Sequence, residues 1–432
     1  MSLEILDTRR KALTINLDPN IYGTFAEIGA GQEVARNFFT AGAASGTIAK
    51  TMSAYDMTFS NEIYGQEESG RYVSKSRLIK MLDYEFKLLG DRLFGDKYQT
   101  KTFFAFADTV TTLNYNKTND PHGWLGIKFQ LEPYGPPHEI IFHVRLLDSD
   151  ASLQQNVLGI LGVNLVYAAF HLHHDPKAMI ESLADNLTQG SVEIDLISVK
   201  GPVFEFLDDI LVNLYLIQKG FSSAAIFDNY AKVKQAKDLM YKKHIMILRT
   251  RFNQKVLPDF DLFHQAVEQY KATLAINETE LVTLAELTLN NMMEKADKSD
   301  EDLLKRVAKR AREITEKGHY VIISNFNRHN KLAKYLSLAK PKSVGITTNI
   351  SNLKHIFQSE NYGENYTNEL LAYISDLFSR NVKLLTYPYR DIKNKTIVTT
   401  KNVEVSPEAK PLFDFLIQNK YIIDIEEIAE II

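Results

Sequence analysis

Two groups of residues in the N-terminal part of the chain are of types that could do chemistry. The first lies in the stretch YGTFAEIGAGQEVARNFFTAGAASGTIAKTMSAYDMTFSNEIYGQEESGRY, from Tyr22 to Tyr72, where Gly29, Gly31 and Gly46 accompany Gln32 and Lys50. Glycines let a backbone approach another group closely and can present N–H groups to an anion. With Lys50 as the cation, these five residues would cradle the phosphate of a nucleotide or other phosphorylated metabolite. The second group is Glu27, Asp56, Asp108, His122 and Arg145, candidate catalytic and polar groups around such a ligand. Asp108 falls near a strand end, where site chemistry is common. The same glycines also suit a tight contact between helices. The known phosphate fingerprints are incomplete. In GAASGTIAKT the lysine does not follow the glycine directly, and IGAGQE lacks a third glycine and shows no preceding strand in a βαβ unit.

The elements that must position these residues are read from hydrophobic spacing. Ala12–Leu17 reads as a short strand closed by Pro19, and Glu27–Phe39 and Ser76–Leu89 as amphipathic helices, the second stopped by Gly90. Thr102–Val110, Leu125–Leu131 and Glu139–Leu147 read as three neighbouring antiparallel strands. Ser152–His171 is apolar nearly all round, a buried central helix with Ser149 or Asp150 as cap. From Val192 strands and helices alternate. The strands are 192–199, 224–227 and 243–251; helices are expected at 207–219 and 229–239. Three successive helices follow, at 259–274, 278–294 and 301–315, with 295–300 as a hinge. A second alternating run fills 319–425. Asn325, Asn327, Arg328 and His329 follow one of its strands, and Thr347, Thr348 and Asn349 end the next. These are strand C-terminal ends, where open α/β sheets bind ligands; loops that merely cap the next helices would look the same. The fold class is therefore α/β, with a mixed α+β N-terminal part and Rossmann-like βα units in the C-terminal parts. The divisions expected are 1–190, 191–256, 257–318 and 319–432.

The segments AEIGAGQEVARNFF, AKTMSAYDMTFS, HGWLGIKFQ, IIFHVRLLD, LQQNVLGILGVNLVYAAF and VEIDLISVKGP resemble a widespread family of bacterial cytosolic proteins with no established activity. The resemblance implies no catalytic residues. Members carry names such as nicotinate-nucleotide adenylyltransferase and TonB-dependent receptor. The first activity needs an H-x-G-H motif, which does not occur here; the second needs an export signal and many barrel strands.

Composition excludes several classes. The chain has 432 residues, net charge −4 and no cysteine. Disulfides, thiolate metal sites and a cysteine nucleophile are out, and no nucleic-acid partner is expected. The stretch Val157–Phe170 is too short and too interrupted to span a membrane, and the N-terminus lacks the apolar core of an export signal. A cytoplasmic location is expected. His171, His173 and His174 form H-x-H-H at a helix end without a distant ligand, and HEIIFH at 138–143 is one residue too long for a zinc motif and lies on a strand, so no metal is expected. No pattern names a cofactor. The function expected is binding of, or action on, a nucleotide or other phosphorylated metabolite. The alternative is a non-catalytic homo-oligomeric scaffold, with the glycine stretch as a close-packed interface between copies and the frequent aromatics (24 Phe, 21 Tyr) serving interfaces as well as cores.

Overall fold

The computed structural model describes residues 5–93, 95, 98–252, 259–289, 301–362, 365–391 and 395–426. They fall into two compact units, Met1–Ser222 and Ser223–Ile432, and the fold class is α/β.

The first unit is built on a sheet of order β2-β1-β3-β4-β5-β6. Its strands are β1 (Ile21–Ile28), β2 (Ile48–Met52), β3 (Thr102–Thr111), β4 (His122–Phe129), β5 (His138–Leu146) and β6 (Val192–Lys200). β1 runs parallel to β2 and β3, and every later pairing is antiparallel. Its helices are α1 (Thr8–Leu17), α2 (Glu33–Ala41), α3 (Met57–Tyr64), α4 (Lys75–Arg92), α5 (Ala151–His171), α6 (Pro176–Ser182) and α7 (Asp209–Gln218). The two faces of the sheet carry different side-chain sizes. Ala107 pairs with Gly126, whose position lies under Leu78 and Leu82 of α4. The opposite face carries Phe25, Phe104, Phe106 and Phe129, which meet Phe38 of α2 and Phe170 of α5.

Several expected elements change here. Ala12–Leu17 lies in helix α1, not a strand. Asp7 caps it through Arg10 N, and Lys11, Ala12, Ile15 and Asn16 form its buried face. Glu27 ends a strand rather than opening a helix, because IYGTFAEI is buried along nearly its whole length between β2 and β3. IGAGQE therefore does follow a strand, in a β1–α2–β2 unit. The helix α4 runs through Gly90 to Arg92. The strand at 192, expected to open a parallel run beyond residue 190, pairs antiparallel with β5 and closes the first sheet.

The second unit holds an eight-stranded sheet of order β16-β13-β12-β9-β10-β11-β7-β8. The strands are β7 (Ala224–Phe227), β8 (Val233–Lys234), β9 (His244–Arg251), β10 (Leu281–Thr288), β11 (Tyr320–Ser324), β12 (Ser343–Asn349), β13 (Val382–Tyr387) and β16 (Ile422–Asp424); β14 (Tyr389–Asp391) and β15 (Thr396–Val398) form a separate hairpin. The helices are α8 (Ala236–Met240), α9 (Phe260–Leu274), α10 (Glu301–Thr315), α11 (His329–Ser337), α12 (Ile350–Ile356), α13 (Tyr366–Phe378) and α14 (Lys410–Gln418). Alternation along β9 sends Ile245 and Ile247 to the core shared with α11 and α13, and Met246 and Leu248 to the core shared with α9. The sheet is thus wound on both faces. Counted from β9, its six parallel strands stand in the order 6-5-4-1-2-3, that of a Rossmann fold.

The helix expected at 278–294 is overturned: Leu281–Thr288 is a strand between β9 and β11, parallel to both. Leucines 281, 284 and 287 imitate a helical face, but a strand buried on both sides needs no alternation. The helix expected at 229–239 is the short strand β8 followed by α8. The hinge expected at 295–300 lies outside the described residues.

Candidate functional site

β9 and its neighbour β12 mark the place where the strand order of the second sheet reverses. Their C-terminal ends open a crevice of about 520 Å³, ample for a small-molecule ligand. Leu248, Arg249, Thr250 and Arg251 come from β9, Thr347, Thr348 and Asn349 from β12, and Thr288 and Tyr387 from the ends of β10 and β13. The turn after β11 adds Asn327, Arg328 and His329; Asn352, His355, Ile356, Asn361, Tyr362 and Tyr373 complete the wall. No carboxylate is among these lining residues.

Arg249 and Arg328 are held by the fold. Arg249 Nη2 donates to Phe326 O at 2.8 Å, and Thr288 Oγ1 donates to the same carbonyl at 2.7 Å. Arg249 Nη1 lies 3.3 Å from Oε2 of Glu286, a fully buried carboxylate behind the wall. The two atoms are too poorly aligned to hydrogen-bond, and neither has another hydrogen-bond partner among the described residues. Ser324 Oγ donates to the other oxygen of Glu286 at 2.6 Å. Burial raises the pKa of Glu286, against the pull of Arg249 and Ser324. Arg328 reaches Asn361 O at 3.4 Å, with its guanidinium 5.8 Å from the Tyr362 ring centre. The Tyr373 hydroxyl accepts from the backbone N–H groups of His329 and Asn330, so it closes the start of α11, where Arg328 provides no side-chain cap. Burial first, then Arg249 and Arg251, holds His329 well below the ordinary imidazole pKa. His329 Nε2 and Thr348 Oγ1 are shielded from solvent and lack hydrogen-bond partners among the described residues.

Of the residues read from the sequence as strand-end groups, Asn327, Arg328, His329, Thr347, Thr348 and Asn349 meet in this one crevice. Asn325 is not in its lining; its N–H bonds to Ser223 O. Arg249 and Arg251 were missed, although the same strand-end rule applied to KHIMILRTR would have found them. Tyr362 and Tyr373 carry no local signal.

The residues chosen first from sequence lie in the first unit. Glu27 and Asp108 are register partners, 3% and 2% exposed. Both oxygens of Glu27 accept from α2, from Val34 N and Ala35 N at 3.0 Å. Asp108 Oδ1 accepts from Ile28 N at 3.1 Å. Gln32 stands at the N-cap of α2 without a side-chain bond. The early N–H groups of α2 that could face an anion are therefore occupied by Glu27. Gly29, at φ +98°, is packed against Val110 O, whereas Gly31 and Gly46 face open space. Lys50 is paired with the buried Glu85, which also accepts from Tyr64 OH. Asp56 caps α3 through Phe59 N.

His122 and Arg145 are register partners, and each is engaged. His122 Nδ1 lies 3.1 Å from His143 Nε2, and His143 Nδ1 lies 2.6 Å from Asp195. Arg145 binds Glu193 at 2.7 Å. Successive strand residues point to opposite faces. Thr109 pairs with Trp124, which packs on His143, so Asp108 lies on the other face of the sheet from this histidine pair. The five polar residues do not form one constellation.

No known family model matches the sequence, and no curated protein matches it. Solved structures match in part. The competence/damage-inducible protein CihA from Agrobacterium tumefaciens is 17% identical with a TM-score of 0.27, over 39% of this chain and 98% of its own. A competence-damaged protein (CinA) superfamily protein from Klebsiella pneumoniae 700603 is 11% identical with a TM-score of 0.28, over 38% of this chain and 96% of its own. Another from Escherichia coli is 12% identical with a TM-score of 0.27, over 38% and 92%. At these TM-scores neither fold nor ligand follows from the likeness.

Proposed function

We propose that this protein binds a nucleotide or another phosphorylated metabolite in the crevice of its second unit. The observation that carries the reading is the lining at the strand-order reversal: Arg249, Arg251 and Arg328, with no carboxylate. Guanidinium groups match the geometry and charge of phosphate. The sequence after β9 has no glycine before α9, so side-chain cations take the part that a glycine turn plays in dinucleotide-binding folds. Tyr362, Tyr373 and Tyr387 give the ligand's remainder aromatic surface. Gly23, Gly29, Gly159 and Gly162 of the first unit are then packing devices. A cytoplasmic setting suits a chain without cysteine whose longest apolar helix, α5, is 67% buried.

The test is a thermal-shift panel of AMP, ATP, NADP and sugar phosphates on the full chain. A ligand present at about a hundred times its Kd stabilises by about 2.7 kcal/mol. At least one compound is expected to raise the melting temperature, and the gain is expected to disappear in Arg251→Glu. If none does so at high concentration, the reading fails.

A further inference from the structure

The crevice has one buried imidazole in its wall, that of His329. His329 and Thr348 are 9% and 6% exposed and both residues line the cavity; His329 Nε2 and Thr348 Oγ1 lie just behind its surface, without a hydrogen-bond partner among the described residues. A donor shielded from water without an acceptor costs about 1–3 kcal/mol. Two of them in one cavity wall point to an acceptor that arrives with the ligand. The groups facing His329 fix what that acceptor is. Arg249 and Arg251 act on it from β9, Arg328 precedes it, Tyr373 accepts from its backbone N–H, and His355 stands in the same wall. Glu286, the buried carboxylate behind the wall, is tied to Arg249 and Ser324. Burial, and then the charges of Arg249 and Arg251, disfavour the imidazolium. A bound dianion reverses that field and favours the imidazolium, which then donates to it.

We propose that the ligand is a phosphate monoester, held by its terminal group against His329 Nε2 and Thr348 Oγ1, and that His329 takes up a proton from solvent as the ligand binds. This rests on the phosphate-binding reading above. It adds the form of the phosphate, since a doubly charged terminal group favours a further cation beside the three arginines and a singly charged diester does not. The sign of the pH dependence follows. The imidazole binds its proton more tightly in the complex than in the free protein, so affinity is greatest at low pH and falls as pH rises between the two values.

Calorimetric titration of the full chain with sulfate, a tetrahedral dianion that does not titrate near neutrality, isolates the protein's own proton. Between about pH 6 and 8, sulfate affinity is expected to fall by up to about tenfold per pH unit, with uptake of up to about one proton per ion. In His329→Gln both effects are expected to vanish; Thr348→Val is expected to weaken binding but keep the pH dependence. AMP is expected to bind at least about tenfold more tightly than cyclic AMP. Binding without proton uptake, an unchanged pH profile in His329→Gln, or equal affinity for AMP and its cyclic diester would each overturn this inference and leave the phosphate reading standing. Failure of sulfate, inorganic phosphate and AMP to bind at all would overturn both.

Discussion

Glu27 and Asp108 face one another across β1 and β3 in nearly complete burial, and their protonation makes the first unit's stability pH-dependent. Burial, more than the adjacent Glu33, pushes Glu27 up to about 7, although two backbone N–H groups pull it down. Burial and then the charge of Glu27 hold Asp108 well above the ordinary carboxylate range. Both groups keep protons more tightly in the folded chain than in the unfolded one. The contribution of Glu27 to stability is fully present below its ordinary pKa of 4.5 and is lost as pH rises through about 7, and that of Asp108 changes in the same direction. The loss for Glu27 is on the order of 3 kcal/mol. Melting temperatures measured across that window should therefore fall with rising pH, and Asp108→Asn should flatten the fall while keeping an acceptor for Ile28 N. Identical profiles for the two proteins would contradict this account. Lys11 shows the same economy with the opposite charge. Its ammonium is buried at 1% exposure and meets Asn164 Oδ1 and Ser182 Oγ at 2.9 Å and Asp185 Oδ2 at 2.6 Å.

At the scale of elements, α2 and α5 touch because glycine allows it. A Cβ on Gly162 would stand 2.3 Å from Val34 Cγ2, and one on Gly159 2.8 Å from Asn37 Nδ2. Gly162→Ala is expected to cost about 1–3 kcal/mol, with part recovered in the double variant Gly162→Ala/Val34→Ala. Denaturant midpoints check this, and an unshifted midpoint for the single variant would show that the helices can part freely. The contact also explains what could be read in advance. Apolar runs such as α5, α9 and β3 were legible in the sequence because the length of the run, for α5 and β3, or a helical stripe, for α9, fits one kind of element. Leu281–Thr288 was not, because leucine, alanine and glutamate favour helix locally while burial between two parallel strands decides the outcome. Nor was β1, where Gly23 interrupts the strand pattern to let Phe104 pass; a Cβ there would lie 2.3 Å from that ring. For the candidate site, the strand-end clusters around Arg328 and Thr348 were readable from topology alone. The convergence of Arg249 and Tyr373 on them comes from strand order and helix packing, which no local pattern encodes.

At the scale of the molecule, the two units use their sheets differently. In the first, the parallel β1–β2–β3 edge continues into an antiparallel run, and the polar groups at its strand ends bind one another. In the second, six parallel strands reverse order between β9 and β12 and leave donors unmatched at that point. The division of labour proposed is a first unit in which Gly29, Gly159, Gly162 and the buried carboxylates serve packing and a second unit that holds the ligand. The most direct test is equilibrium titration of the wild type, Arg251→Glu and Gln32→Ala with whichever phosphorylated compound of the thermal-shift panel stabilises most. The prediction is that Arg251→Glu weakens binding by at least about tenfold, a loss of about 1.4 kcal/mol, and that Gln32→Ala leaves it unchanged. Binding that survives Arg251→Glu and is lost in Gln32→Ala would put the ligand at the glycine stretch of the first unit and contradict the account.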